Sequence, residues 1–150
     1  MKSNYAVRAI CWGGLIAGAL DITAAFVLNV KVGPMRVLRG IASGLLGASA
    51  AQGGVGTALL GLLLHFVIAF GAAAVYYTAS RKLTFLVQQA IVCGLLYGIA
   101  VYWFMNLVVL PLSAFPRKVQ FHASGVAIGL IVHMLCVGLP IALAVRRYSK

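Results

Sequence analysis

Asp21 is the only acidic residue in a chain of 150 that carries twelve Lys and Arg, and it falls inside the long apolar stretch Ala9–Val30. Two of the three histidines, His65 and His133, fall inside other apolar stretches of the same kind. Carboxyl and imidazole groups at bilayer depth are the usual parts of proton relays and ion sites, because imidazole titrates near neutrality and a charge there must find a partner. Placing such a group at the bilayer centre costs roughly 2.5 kcal/mol or more on insertion scales, which makes each one a candidate for function.

Four chemistries are open to these residues. The plainest is structural: a polar centre of Asp21, His65 and His133, with Asn106, Arg39 and His122 as secondary members, that holds helices in register. Interhelical polar bonds of this kind are worth about 0.6 kcal/mol on average. The same centre could instead serve proton-linked or cation-linked transport or permeation, which for so small a chain implies a homo-oligomer. Two histidines on neighbouring spans could ligate a haem iron, or a metal could use His65, His133 and Asp21, although no ligand pair is spaced i, i+3 or i, i+4. Catalysis has little to work with. One carboxylate excludes paired-carboxylate chemistry within a protomer, and Ser43, Ser80 and Ser113 have no nucleophile motif. The leading expectation is therefore a non-enzymatic membrane protein with a structural centre, no cofactor and no metal; an accessory role in a larger complex is a further possibility.

The elements that must position these residues are membrane spans. The chain is 63% hydrophobic and 9% charged, against about 45–50% and 25% in soluble domains, so the bilayer is its solvent. The net charge of +11 lacks the basic stripe and aromatic platform of a nucleic-acid binder; its residues sit in ones and twos at span ends, where they meet anionic phospholipids. Approximately 9–30, 55–79, 83–110 and 121–145 are long enough to cross about 30 Å of hydrocarbon. The expected fold is all-α, a single transmembrane domain over 1–150 built as a four-helix bundle. Between the first two spans, Pro34 and Gly47 bracket a short helix over 34–46. Arg36, Arg39 and Ser43 lie on one face of it and Leu38, Ile41 and Leu45 on another, as in an interfacial helix, with a re-entrant segment as the alternative. Gly53-Gly54-Val55-Gly56 completes no phosphate-binding motif. Ala17-Gly18-Ala19 fits a cleavage pattern, but the broken core before it favours a retained first helix. Cys11, Cys93 and Cys136 read as buried free thiols.

Ser80-Arg81-Lys82 joins the second and third spans as an antiparallel hairpin, and Pro111 and Pro116 are expected to keep the link to the fourth out of helix. One side of the membrane then carries Lys2, Arg8, Arg81, Lys82, Arg146, Arg147 and Lys150, the other Lys31, Arg36, Arg39, Arg117 and Lys118. The positive-inside rule places both termini in the cytoplasm. Small residues mark the packing faces: Gly14 and Gly18, Gly61, Gly94 and Gly98, Gly125 and Gly129. At 100° per residue Asp21 shares the first face, His65 the second and His133 the fourth. Counted from the outer ends, the three also lie at similar depth near the midplane, whereas Asn106 and His122 lie nearer the outer edge.

The run Asn106-Leu107-Val108-Val109-Leu110-Pro111-Leu112 ending one span, His133 in the next, and the closing Arg146-Arg147 resemble small bacterial inner-membrane proteins of the YagU type. The likeness covers about a third of the chain and implies location and topology, a bacterial cytoplasmic membrane and four spans, and no particular activity. The large outer-side loop of that family has no counterpart here.

Overall fold

The computed structural model describes residues 2–116 and 120–149. Arg117, Lys118 and Lys150, used above to orient the chain, lie outside the described residues, as does the side chain of Lys2. The described residues are helical throughout, with no strand: α1 (Lys2–Leu28), α2 (Pro34–Leu46), a 3-10 segment (Gly47–Gln52), α3 (Val55–Ser80), α4 (Phe85–Gln88), α5 (Ala90–Phe104), α6 (Leu110–Leu112), α7 (Ala123–Val132) and α8 (Leu139–Tyr148). Two π-turns, Met105–Val109 and His133–Gly138, fuse α5 to α6 and α7 to α8. Four helical runs are long and apolar enough to cross a membrane: Asn4–Leu28, Val55–Ser80, Ala90–Leu112 and Ala123–Tyr148. The protein is thus an all-α bundle of four candidate spans.

Both π-turns have the same local cause. Pro111 and Pro140 lie just beyond them, and proline removes a helical N–H while its ring presses on the carbonyl four residues back. Widening the preceding turn relieves that conflict without ending the helix. Pro111 therefore sits inside helix, not in the non-helical link expected from the sequence, and the span runs on to Leu112. The third span also begins later than expected. After Arg81 the chain makes the single turn α4 and breaks at Gln89 (φ −103°, ψ 43°), so the span starts at Ala90 and the connection is three times the length of Ser80-Arg81-Lys82. The hydroxyl of Tyr76 donates to the Leu86 carbonyl at 2.9 Å, which pins this connection to the end of α3.

The helices are not arranged as two sequential hairpins. α1 packs on α3 on one side and on the fourth span on the other, and α5 packs on the fourth span. α3 and α5, adjacent in sequence, meet mainly through side chains: Tyr97 OH donates to the Ala72 carbonyl at 2.8 Å, and the Tyr76 and Tyr97 rings meet edge to face at 4.9 Å. The buried core, Ala9, Ala17, Ala73, Tyr76, Ala90, Val137, Ile141, Ala142 and Val145, fills the half of the bundle nearer the termini. Alanine at these positions lets backbones approach, which drives association where lipid is as apolar as the core itself. Large aliphatic side chains such as Val27, Leu63 and Leu112 point outward.

α2 has the boundaries its sequence signals predict. Gly33 (φ 86°) and Gly47 (φ 64°) take left-handed conformations at its two ends, which side-chain-bearing residues rarely adopt. Of the polar face read from the sequence, Ser43 is buried, as is Ala42; the helix lies across α3, and Leu45 on the apolar side is exposed. The crossing is possible because Gly61 has no side chain: a Cβ there would strike the Leu38 carbonyl and lie 3.2 Å from the Ala42 nitrogen. A second tie runs from the Ala114 N–H to the Gly44 carbonyl at 2.9 Å, fixing α2 to the link after the third span.

Candidate functional site

Asp21 reaches the bundle interior because α1 presents small residues to α3 on the turns before it. Gly14 and Gly18 receive the rings of Phe70 and Phe66; a Cβ on Gly18 would sit 2.7 Å from the Phe66 ring and 3.3 Å from Ala69. This close approach brings His65 to α1, where its Nε2 lies 2.8 Å from the Gly18 carbonyl. A carbonyl only accepts, so Nε2 carries a proton and donates. Gly61, His65 and Ala69 therefore do form the inward row expected on α3, with Gly61 against α2 and His65 and Ala69 against α1.

His133 begins the second π-turn. Its Nδ1 donates to the Gly129 carbonyl of its own helix at 2.9 Å, and its ring meets Tyr102 edge to face at 5.4 Å. The turn itself is clasped by α5: a Cβ on Gly98 would strike the His133 carbonyl, and one on Gly94 would lie 2.8 Å from Ala142. Gly138 reciprocates: a Cβ there would strike the Gly94 carbonyl and the Gly98 nitrogen. Gly138 was not singled out in the sequence, although a glycine two residues before an intraspan proline is a visible signal.

Asp21, His65 and His133 line one cavity of about 260 Å³. All four spans and α2 contribute to its wall, including Ile22, Val37, Ile41, Met105 and Val137. Val37 and Ile41 close it from α2; of these, Ile41 belongs to the apolar face read from the sequence. Met105 and His133 are the first residues of the two π-turns, so the proline-induced widening occurs at the level of the cavity. Among the described residues, no group donates a hydrogen bond to the Asp21 carboxylate and no cation lies within salt-bridge distance of it. The histidines spend one nitrogen each on backbone carbonyls, not on Asp21.

The secondary members do not join this centre. Arg39 turns the other way, its Nη1 donating to the Ala51 carbonyl at 3.2 Å while its buried Nε has no partner. It cannot neutralise Asp21 from there. Asn106 donates to the Tyr102 carbonyl one turn back, at 2.8 Å, as a local clamp beside the first π-turn. His122 is exposed and extended, immediately before α7. Gly125 is likewise exposed, and a Cβ there would meet nothing within 4 Å, so it marks no packing face; Gly129 does, with Tyr102 against it. Cys11 is exposed, not buried, and Cys93 and Cys136 are partly buried.

A site for a metal ion needs ligands converging on one point. Among the described residues no three His, Cys, Asp or Glu side chains do so; Asp21, His65 and His133 share a cavity without forming a coordination sphere. What the arrangement offers is a carboxyl group with no protein donor among the described residues and two imidazoles lining a space large enough for a small guest. No protein-family model matches the chain, and neither a curated protein nor a solved structure matches it.

Proposed function

We propose that this is a multi-pass protein of a bacterial cytoplasmic membrane, with both termini in the cytoplasm, that binds a proton or a monovalent cation at Asp21. His65 and His133 line the same space, and permeation of the bound species takes place in a homo-oligomer. The protein is non-enzymatic and sits among anionic phospholipids that its basic span ends recruit.

One observation carries this reading. The only carboxylate in the chain lines a cavity at the meeting point of all four spans and has no protein donor among the described residues. A carboxylate whose role is to tie helices together makes its hydrogen bond across the interface; in this bundle the interhelical bond belongs to His65 and the Gly18 carbonyl. Asp21 is left available to something that enters. The orientation is supported by the basic residues Arg8, Arg81, Lys82, Arg146 and Arg147 at the termini side.

A second reading, that the centre is structural, is favoured by the same His65–Gly18 bond and by the glycine clasp around His133. The two separate in reconstituted vesicles loaded with a pH-sensitive dye. An imposed gradient should collapse faster with the wild-type protein than with empty vesicles, and Asp21→Asn should abolish the difference. Unchanged flux in Asp21→Asn would rule out the proposed role.

A further inference from the structure

The Asp21 cavity adjoins a second space of about 500 Å³ between α3 and the third span, with which it shares Ile68, Ala72, Val101 and Met105. The Tyr97–Ala72 hydrogen bond lies in the wall of this second space, between α3 and α5. Val75, Phe104 and Gly71 on its rim are exposed, and all three lie well within the spans. The groove therefore opens sideways, at the depth of the hydrocarbon. Its walls are apolar, and the Tyr97 hydroxyl is already committed to a carbonyl.

These features restrict the guest. A hydrated inorganic ion would lose its water against walls that offer no hydrogen bond in return. An uncharged apolar molecule would gain nothing from the chain's only carboxylate at the inner end. A cation with an apolar body satisfies both: it dissolves in the bilayer, enters laterally, and places its charge near Asp21. Volumes of about 260 and about 500 Å³ fall in or near the roughly 300–1,000 Å³ of small-molecule sites. We propose that the groove between α3 and the third span, together with Asp21, binds a monovalent amphiphilic cation, an ammonium or phosphonium on an apolar body, taken from the membrane. This rests on the reading of Asp21 as a cation site and specifies its ligand.

The test uses the full chain in nanodiscs of zwitterionic lipid, with tetraphenylphosphonium binding measured by equilibrium dialysis. Saturable binding is expected, with affinity falling on the order of tenfold or more in Asp21→Asn, where the charge partner is lost. Gly71→Phe places a ring at the groove from a position where a Cβ has open space around it. It should weaken binding similarly while leaving the pH-driven dye response intact. Ala100→Phe, on the exposed opposite wall, serves the same purpose should Gly71→Phe not fold. Tetramethylammonium, with the charge but no apolar body, should compete on the order of tenfold less well. Absence of saturable binding, or binding indifferent to both groove variants, would overturn the groove. Binding that depends on the groove but not on Asp21 would show an uncharged occupant, such as an acyl chain, and would also overturn it. A dye response lost in Asp21→Asn without phosphonium binding would leave the proton or small-cation reading standing alone; both intact in Asp21→Asn would remove the two together.

Discussion

Neutralising Asp21 and removing the polar bond of His65 should move stability in different directions, and the structure sets the expected sizes. Asp21→Asn preserves volume and breaks no protein hydrogen bond among the described residues. It removes a charge inside the first span; at the bilayer centre such a charge costs roughly 2.5 kcal/mol or more when ionised, so stability should be unchanged or higher. His65→Leu also keeps volume but deletes the 2.8 Å bond to the Gly18 carbonyl. That carbonyl keeps its own helical N–H, so no orphaned group is created, and the loss should stay near the roughly 0.6 kcal/mol average for interhelical bonds and below about 1.7. The expected order is Asp21→Asn at or above wild type, and His65→Leu below it.

The measurement is reversible unfolding in mixed micelles with increasing denaturing detergent, followed by far-ultraviolet circular dichroism, on both variants and the double variant. A loss exceeding about 1 kcal/mol in Asp21→Asn would mean that the carboxylate ties helices together, and the assignment of Asp21 as an open cation site would fail. Non-additivity in the double variant beyond about 0.5 kcal/mol would show that Asp21 and His65 couple directly, contrary to their separate partners.

Three further outcomes follow from the packing. Gly98→Ala drives a methyl into the His133 carbonyl and Met134 backbone and should destabilise by about 1–3 kcal/mol, whereas Gly125→Ala, with nothing to meet, should be neutral or stabilise by up to about 1 kcal/mol; the same unfolding assay reads both. Gly61→Ala should lift α2 off α3 and open the Asp21 cavity, seen as faster labelling of an Ile41→Cys reporter by a membrane-impermeant maleimide, with equal labelling in the Gly61 parent refuting the view of α2 as a wall. Tyr97→Phe removes the bond from Tyr97 to the Ala72 carbonyl and should cost about 0.5–1.5 kcal/mol in the unfolding assay.

Much of the frame was legible because its signals are local. Hydropathy marks four spans, Pro34 and Gly47 bracket α2, and helical geometry puts Asp21, His65 and His133 on inward faces at matching depth. The misreadings share a different cause: they depend on where a neighbouring segment goes. Adjacency in sequence suggested that α3 and α5 form a hairpin, yet α5 prefers the fourth span, because Gly94, Gly98 and Gly138 allow backbone contact that α3 does not match. The faces of α2 looked amphipathic towards lipid, but Gly61 offered its backbone a closer partner, which buried Ser43 and turned Val37 and Ile41 to the cavity. Arg39 was a plausible partner for Asp21 by charge alone; the 3-10 segment, invisible in hydropathy, supplied a carbonyl instead.

The position of the cavity follows from two opposing devices in one bundle. On the termini side, alanine and glycine draw the helices together until Tyr76, Ile141 and Val145 are fully buried. Where the turns preceding Pro111 and Pro140 begin, at Met105 and His133, the packing loosens into a gap that α2 covers. Asp21 stands where close packing gives way to that gap. Had the tight half extended one turn further, an unbonded carboxylate would have been enclosed without partner or solvent, an arrangement whose electrostatic cost selects for a neutral residue. A lone acid persisting beside an open space is therefore better explained by what the space receives than by what the helices need.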